Sequence, residues 1–184
     1  MQYIVPHNPD WKVRFERTAA SIAGSLPPGC RIHHVGSTCI PGMPAKDVID
    51  IDIECPAGSM SAVIGALARL GYEHEGDKGI TGREAFRAAP GSQAAEQPDH
   101  HLYACESGAS ELRRHLAFRD YLKSHPDRAQ WLAEQKVAVD RDAASRSQYI
   151  ENKAPFYQVI VEESLEWAKQ KAIVDKDVSR VGRR

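Results

Sequence analysis

Two aspartates stand one residue apart in the most strand-like segment of the chain, "DVIDIDIEC" at residues 47–55. Side chains two positions apart on a strand leave the same face of the sheet, so Asp50 and Asp52 are expected to lie side by side. Two carboxylates that close together repel each other unless a cation neutralises them. Carboxylate oxygens suit Mg²⁺ or Mn²⁺, and we therefore expect Asp50 and Asp52 to be metal ligands. The alternative is a strand with one solvated face, which needs no metal.

A Gly-Ser step, Gly36 and Ser37, closes a short apolar strand shortly before these aspartates. Glycine lets the backbone approach a ligand closely, and Ser37 offers a hydroxyl and a backbone N–H to a phosphate oxygen. The chain contains no G-x-x-x-x-G-K-[ST] sequence, so this step is not a P-loop. We expect a phosphate to lie between the Gly-Ser step and the aspartates, bridged to the carboxylates by the metal.

The pattern "VGS…DIDI" resembles the signature of the polymerase-β-like nucleotidyltransferases, in which G-[GS] is followed by D-h-[DE]-h. Longer blocks resemble the GrpB family, which is placed in that superfamily by fold. These blocks are "PHNPDWKVRFE", "HVGSTCIPGMPAKDVIDI", "GYEHEGDKGITGREAF", "HLYACESGASELRRHLAFRDYLKSHP" and "YIENKAPFY". The resemblance extends over most of the chain and implies a nucleotidyltransferase-like mixed sheet flanked by helices.

The resemblance also implies a third acidic residue on a later strand, and the candidate strand is "DHHLYACE" at residues 99–106. The family has a pattern similar to H-L-H-V here, so His101 matches and Tyr103 departs from it. An imidazole is a general base or a ligand for Mn²⁺ or Zn²⁺, but it suits Mg²⁺ poorly. His101 is therefore predicted as a catalytic residue or a structural one, with Asp99 and Glu106 as alternative acids.

Several cations are candidates for contacting the phosphates. Lys46 precedes the aspartate strand at the family's "AK" position, and Lys153 is expected to open the last helix, where the helix dipole attracts anions. The resemblance makes Arg114 a possible phosphate contact, with a solvated helix face as the alternative. Arg119 falls in the apolar arc of its predicted helix, so it is expected either to pair with a buried carboxylate, such as Glu54 or an aspartate near the site, or to reach a ligand phosphate.

The predicted elements run in the order helix, two strands, helix, a polar irregular segment, a strand and then several helices from about residue 110. This order predicts an α/β or α+β fold with a helical C-terminal half. The last helix is predicted to begin near Pro155, and the polar tail at 175–184 is expected to fray. A chain of 184 residues is long enough for one domain with its own core, and we expect a single domain over 1–184.

The composition and charge of the chain restrict the classes of partner that it is expected to have. A net charge of -1, from 24 basic and 25 acidic residues, argues against nucleic-acid binding driven by bulk charge. No apolar run is long enough for a membrane span, and the N-terminal sequence does not have the pattern of a signal peptide. The four cysteines form no C-x-x-C pair, so they are expected to be free thiols in a reducing cytosol. We expect a cytoplasmic protein, and the oligomeric state stays open.

The function that these patterns favour is metal-dependent nucleotidyl transfer from a nucleoside triphosphate to an unidentified small-molecule acceptor. Mg²⁺ or Mn²⁺ on Asp50 and Asp52 would bridge the phosphates, and Ser37 would cradle them. The base that takes the acceptor proton would be Asp52, His101 or a third acid. The alternatives are a module that binds nucleotide and metal without transfer, and a hydrolase or phosphotransferase that uses the same carboxylates.

Overall fold

The computed structural model describes the backbone of residues 3–181 and the side chains of residues 3–173. The strands are β1 (Arg31–Val35), β2 (Ile49–Cys55), β3 (Tyr72–His74), β4 (Arg83–Ala88) and β5 (His100–Glu106). The helices are α1 (Asp10–Ala23), α2 (Met60–Arg69), α3 (Ser110–Ser124), α4 (Pro126–Asp142) and α5 (Arg146–Val181). The predicted α+β class with a helical C-terminal half is confirmed.

The five strands form one sheet in the order β1-β2-β5-β4-β3. Strands β2 and β5 run parallel, and the other neighbouring pairs run antiparallel, so the sheet is mixed as predicted. The polar segment between α2 and β5 contributes the antiparallel pair of β3 and β4. Strand β2 is therefore an interior strand, held on both sides by hydrogen bonds.

One face of β2 packs into the main core. Ile49, Ile51 and Ile53 are fully buried there, in a cluster that includes Trp11 of α1 and Leu67 of α2. Because successive strand side chains alternate between faces, this packing fixes the direction of the three acidic residues of β2. The predicted alternation of isoleucines and carboxylates is confirmed.

The C-terminal helices build a second core next to the other face. Phe118 of α3, Leu132 of α4 and Ile160 of α5 pack together with Ile40 and Met43 of the loop before β2. That loop follows a short 3₁₀ turn at Ser37–Cys39. The packing therefore fastens α4 and α5 to the segment that carries the Gly-Ser step.

The last helix begins earlier than predicted. It starts at Arg146 and includes Pro155, so the expectation of a start near Pro155 is wrong. Proline removes one helical hydrogen bond, but the packing of a long helix against α3 and α4 outweighs that local preference. Lys153 consequently lies two turns inside α5, and no N-terminal dipole acts on it.

The tail at 175–184, which was expected to fray, has its side chains and residues 182–184 outside the described residues. That expectation stays a prediction. In the part of the chain that is described, no helix combines the length and apolar character needed to span a membrane. Cys30, Cys39, Cys55 and Cys105 are free thiols, and the last two are buried.

Candidate active site

Asp50 lies at the open end of the polar face of β2. Its neighbours across the sheet are Val35 of β1 and His101 of β5. Asp50 Oδ1 lies 2.7 Å from His101 Nδ1, and the two side chains are 31% and 48% exposed. The structure thus brings together two of the predicted catalytic residues and leaves both accessible to a ligand.

Asp52 shares the face of Asp50, as predicted, but it is fully buried. Its Oδ2 accepts a hydrogen bond of 2.7 Å from His115 Nδ1, and His115 Nε2 lies 3.1 Å from Glu111 Oε1. Burial works to lower the pKa of His115, but the hydrogen bonds to Asp52 and Glu111 outweigh burial and raise that pKa to about 9. The protonated imidazole is therefore a built-in counter-ion for Asp52.

The third acidic residue of β2, Glu54, lies at the closed end of the same face. It accepts hydrogen bonds of 2.7 Å from Arg31 Nη2 and 2.8 Å from Ser107 Oγ, and His33 Nε2 lies 2.9 Å from it. The hydrogen bond from Arg31 is the main reason that the pKa of Glu54 falls to about 2. Both oxygens of Glu54 are thus committed to protein partners.

The Gly-Ser step lies directly against Asp50. Gly36 has φ 72°, and Ser37 opens the 3₁₀ turn. A Cβ added to Gly36 would overlap Asp50 Oδ2. Only glycine lets the backbone pass this close to the carboxylate in this left-handed conformation. The phosphate seat predicted from Gly36 and Ser37 is thus adjacent to the first aspartate.

Ser37 is held by two residues of the C-terminal helices. Its Oγ lies 2.6 Å from the Tyr157 hydroxyl and accepts a hydrogen bond of 2.9 Å from Lys136 Nζ. Lys136 also donates to the carbonyl of Pro44 and is only 2% exposed. Burial lowers the pKa of this ammonium to about 7. The hydroxyl of Ser37 is therefore oriented by a buried cation.

A cavity of about 210 Å³, which we call the lysine cavity, opens between this turn, Asp50 and the helices α4 and α5. Lys46, Lys136 and Lys153 contribute three amino groups to its wall, and burial lowers the pKa of each of them. Bringing an anion into the cavity would favour the charged form of these lysines. The lining also contains Gly36, Ser37, Thr38, Ala45, Val48, Asp50, His101, Tyr149 and Tyr157.

Two arginines considered from the sequence lie elsewhere. Arg114 Nε donates a hydrogen bond of 2.9 Å to Glu111, and Arg114 does not line the lysine cavity. Its contact with a phosphate therefore stays a prediction. Arg119 Nε donates to the neighbouring Asp120 at 2.7 Å. Of the alternatives expected for Arg119, pairing with Glu54 is not found, because Arg31 occupies that carboxylate.

Three site residues were not predicted, and two of them left a signal. Lys136 continues the buried stripe of Ala129 and Leu132 on α4, and a lysine on an apolar stripe needs a partner. His115 lies one helical turn before Arg119, in the apolar arc that the sequence predicts for this helix, but that position alone predicts no role. Tyr157 gave no signal, because its position depends on how α5 docks against the Gly-Ser turn.

A divalent cation at Asp50 would need ligands from a phosphate as well as from the protein. Asp52 Oδ1 is buried and has no hydrogen-bond partner among the described residues, and Asp50 is accessible. Within the same part of the chain, no group of three or more His, Cys, Asp or Glu is arranged to hold a metal. Mg²⁺ is commonly bound by one or two carboxylates together with substrate phosphates, rather than by a complete protein cage.

Residues 3–163 match the family model described as GrpB protein. The UPF0157 protein YqkA of Bacillus subtilis is 31% identical over 169 residues, which are 90% of this chain and 48% of that protein. The chain thus spans about half the length of this relative.

A solved structure of a GrpB protein shows the same fold. The crystal structure of the conserved protein GrpB from Enterococcus faecalis aligns with a TM-score of 0.74 and 28% identity, covering 90% of this chain and 98% of that chain. A weaker similarity, with a TM-score of 0.49 and 10% identity, is to Cid1, whose structure is described in terms of RNA terminal uridylyl transferase activity. It covers 74% of this chain and 42% of Cid1.

Proposed function

The chain belongs to the GrpB family, and from that premise we propose that it transfers a nucleotidyl group from a nucleoside triphosphate to a small-molecule acceptor. The observation that carries the proposal is the close approach of the Gly36 backbone to the Asp50 carboxylate. In this proposal the turn would bind a phosphate, and the neighbouring Asp50 oxygen would bind the metal. The lysine cavity supplies the positive charge that a triphosphate needs.

The phosphates would lie in the lysine cavity. Ser37 would donate its hydroxyl to a phosphate oxygen while Lys136 keeps that hydroxyl in place. Lys46 and Lys153 are far apart in the sequence but line the same cavity. They would neutralise further charge on the phosphates. Tyr157 would close the cavity beside Ser37, since its hydroxyl already contacts the serine.

Asp50 and Asp52 Oδ1 would hold Mg²⁺ or Mn²⁺, which when bound neutralises phosphate charge and lowers the pKa of an acceptor hydroxyl. His101 is hydrogen-bonded to Asp50 and exposed to the cleft, so it would accept the proton of that hydroxyl. The acceptor oxygen forms a bond to the α-phosphorus, and the bond between that phosphorus and pyrophosphate breaks. Pyrophosphate leaves with the electron pair of that bond.

A second candidate function is nucleotide binding without transfer. The observation that favours it is the commitment of the inner carboxylates, because Asp52 is bonded to His115 and Glu54 to Arg31. Only Asp50 then has an accessible carboxylate on β2. In this case the cleft would bind a nucleotide and release no pyrophosphate.

Thermal unfolding against a panel of nucleoside triphosphates, with and without Mg²⁺ or Mn²⁺, tests the site. A ligand that binds the native state raises its stability. We expect a metal-dependent rise for at least one nucleotide, lost in Asp50→Asn and kept in Asp142→Asn. The control replaces a surface aspartate, 63% exposed and paired with Arg141. No rise with any nucleotide in the wild-type protein would contradict both candidate functions.

Product analysis separates the candidates once a nucleotide binds. The protein is incubated with that nucleotide, the metal and a mixture of small metabolites. Pyrophosphate release that Asp50→Asn abolishes supports transfer, whereas orthophosphate would indicate the hydrolase or phosphotransferase alternative. Binding without either product supports the binding module.

A further inference from the structure

A second cavity of about 190 Å³ adjoins the lysine cavity. The two share Gly36, Asp50 and Tyr157, so a molecule in the second cavity has access to the same carboxylate as the phosphates. The rest of the second lining is Val35, Arg83, Tyr103, His115 and Phe118. We call this space the arginine cavity, because Arg83 stands in its wall where the other cavity has lysines.

The walls of the arginine cavity are largely aromatic. The rings of Phe118 and Tyr157 stack with centroids 5.5 Å apart and an interplanar angle of 10°. Tyr103 adds a third ring, and Val35 adds a buried aliphatic surface. Aromatic walls favour a flat apolar ligand. The volume is below the range of about 300–1,000 Å³ typical of drug-sized sites, so the ligand is small.

Arg83 lines this cavity, and part of its hydrogen-bonding capacity is unused. Its side chain is 11% exposed, and its guanidinium carbon lies 4.3 Å from the centroid of the Tyr103 ring. Its Nε is buried and has no hydrogen-bond partner within the described part of the chain. Its Nη1 lies 4.0 Å from Glu111 Oε1, which is too long for a hydrogen bond.

Glu111 does not make up for this deficit, because other cations already bind it. Arg114 Nε donates to Glu111 at 2.9 Å, and His115 Nε2 lies 3.1 Å from it. A buried donor without a partner is unfavourable, and more so on a charged group. A guanidinium presents a planar fork of N–H groups that matches a carboxylate.

We propose that the arginine cavity binds a small aromatic carboxylic acid, with its carboxylate on Arg83 and its ring between Tyr103 and the Phe118–Tyr157 stack. The proposal rests on the proposed function in one respect, since this acid would be the acceptor whose hydroxyl faces Asp50. Binding of the acid itself needs neither nucleotide nor metal. The two ideas can therefore fail separately.

The test is equilibrium binding of 4-hydroxybenzoate and its neutral amide, 4-hydroxybenzamide, to the full chain without nucleotide. We expect the acid to bind at least about tenfold more tightly, as a charge-assisted hydrogen bond predicts. Arg83→Gln should remove the preference for the acid, and Arg141→Gln should keep it. Arg141 is 74% exposed and pairs with Asp142 at the surface, so it is a matched control.

Equal affinities for acid and amide in the wild-type protein would overturn the proposal, and this comparison does not depend on any variant folding. A preference that survives Arg83→Gln would overturn it as well. So would a preference that disappears in Lys46→Met, because Lys46 lines the lysine cavity and not the arginine cavity. A retained preference in a protein that binds no nucleotide would leave the arginine cavity assigned and the transfer function refuted.

Discussion

The two ends of β2 carry the same kind of side chain on the same face, yet they are used differently. At the open end, Asp50 is 31% exposed and borders a cavity. At the closed end, Glu54 is 9% exposed and is bonded to Arg31, His33 and Ser107. Alternation along a strand sets the face of a carboxylate, and the elements that cover that face set its role.

Asp52, between the two ends, has features of both. It is buried even more completely than Glu54 and has a cationic partner, His115. Its Oδ1, however, has no hydrogen-bond partner in the described structure. A substitution of Asp50 should therefore affect ligand binding alone, and a substitution of Glu54 should affect stability alone.

The largest effect is expected at this middle position. Asp52→Asn should lower the free energy of unfolding by about 3 kcal/mol, because it removes one of the two carboxylates that stabilise the buried imidazolium of His115. His115→Gln should be similarly harmful, and the double variant should lose less than the sum of the two. Chemical denaturation of the four proteins measures this coupling. Additive losses would mean that the two side chains do not form a unit.

The coupling has a defined pH dependence. The pKa of His115 is raised from an ordinary 6.5 to about 9 in the folded protein. The stabilisation is therefore fully present below pH 6.5 and is lost as the pH rises through about 9. Repeating the denaturation series across this window checks the sign.

The next effect is expected in the lysine cavity. Lys136→Met should weaken triphosphate binding about tenfold to a hundredfold, because it removes a buried charge from the serine that faces the phosphates. Lys169→Met, at a lysine 73% exposed on α5, is the matched control and should bind normally. Isothermal titration measures both. An equal loss in the two variants would refute a specific role for Lys136.

The pH dependence of binding sharpens this test. Because burial lowers the pKa of Lys136 to about 7 from 10.5, its charge is lost as the pH rises through about 7. Wild-type affinity should fall over that range by more than the affinity of Lys136→Met does. The comparison between the two proteins cancels the titration of the triphosphate itself.

The smallest effect is expected at the closed end. Glu54→Gln should lower the free energy of unfolding by about 1–2 kcal/mol and leave triphosphate binding unchanged. Since the pKa of Glu54 falls from 4.5 to about 2, its stabilisation is present above pH 4.5 and disappears as the pH falls through about 2. Glu73→Gln, at a surface pair with Arg87, is the control. Weakened nucleotide binding in Glu54→Gln would erase the contrast between the two ends.

Local periodicity accounts for what the sequence predicted correctly. The alternation in β2 placed Asp50 and Asp52 on one face, and the Gly-Ser step preceded them along the chain. Neighbouring strands then brought Gly36 and His101 to Asp50. Each of these relations depends on the two-residue repeat of a strand or on pairing between adjacent strands.

What the sequence did not predict depends on how the helices dock. Ser37 is hydrogen-bonded to Lys136 and Tyr157, which follow it in the chain by 99 and 120 positions. No local pattern specifies which faces of α4 and α5 meet that turn. The same limitation applies to Arg119, whose expected partner was already bound by a residue of β1.

The spacing of side chains along α5 restricts changes in chain length. Tyr149, Lys153 and Tyr157 recur every four residues and line one cavity. Successive helical residues are rotated by about 100°, so one residue inserted or deleted between Tyr149 and Tyr157 would turn part of this row away from the cavity. Substitutions in this part of the helix alter single contacts, whereas insertions and deletions dismantle the wall. Length variation among relatives is therefore expected to concentrate in loops such as the one between β3 and β4.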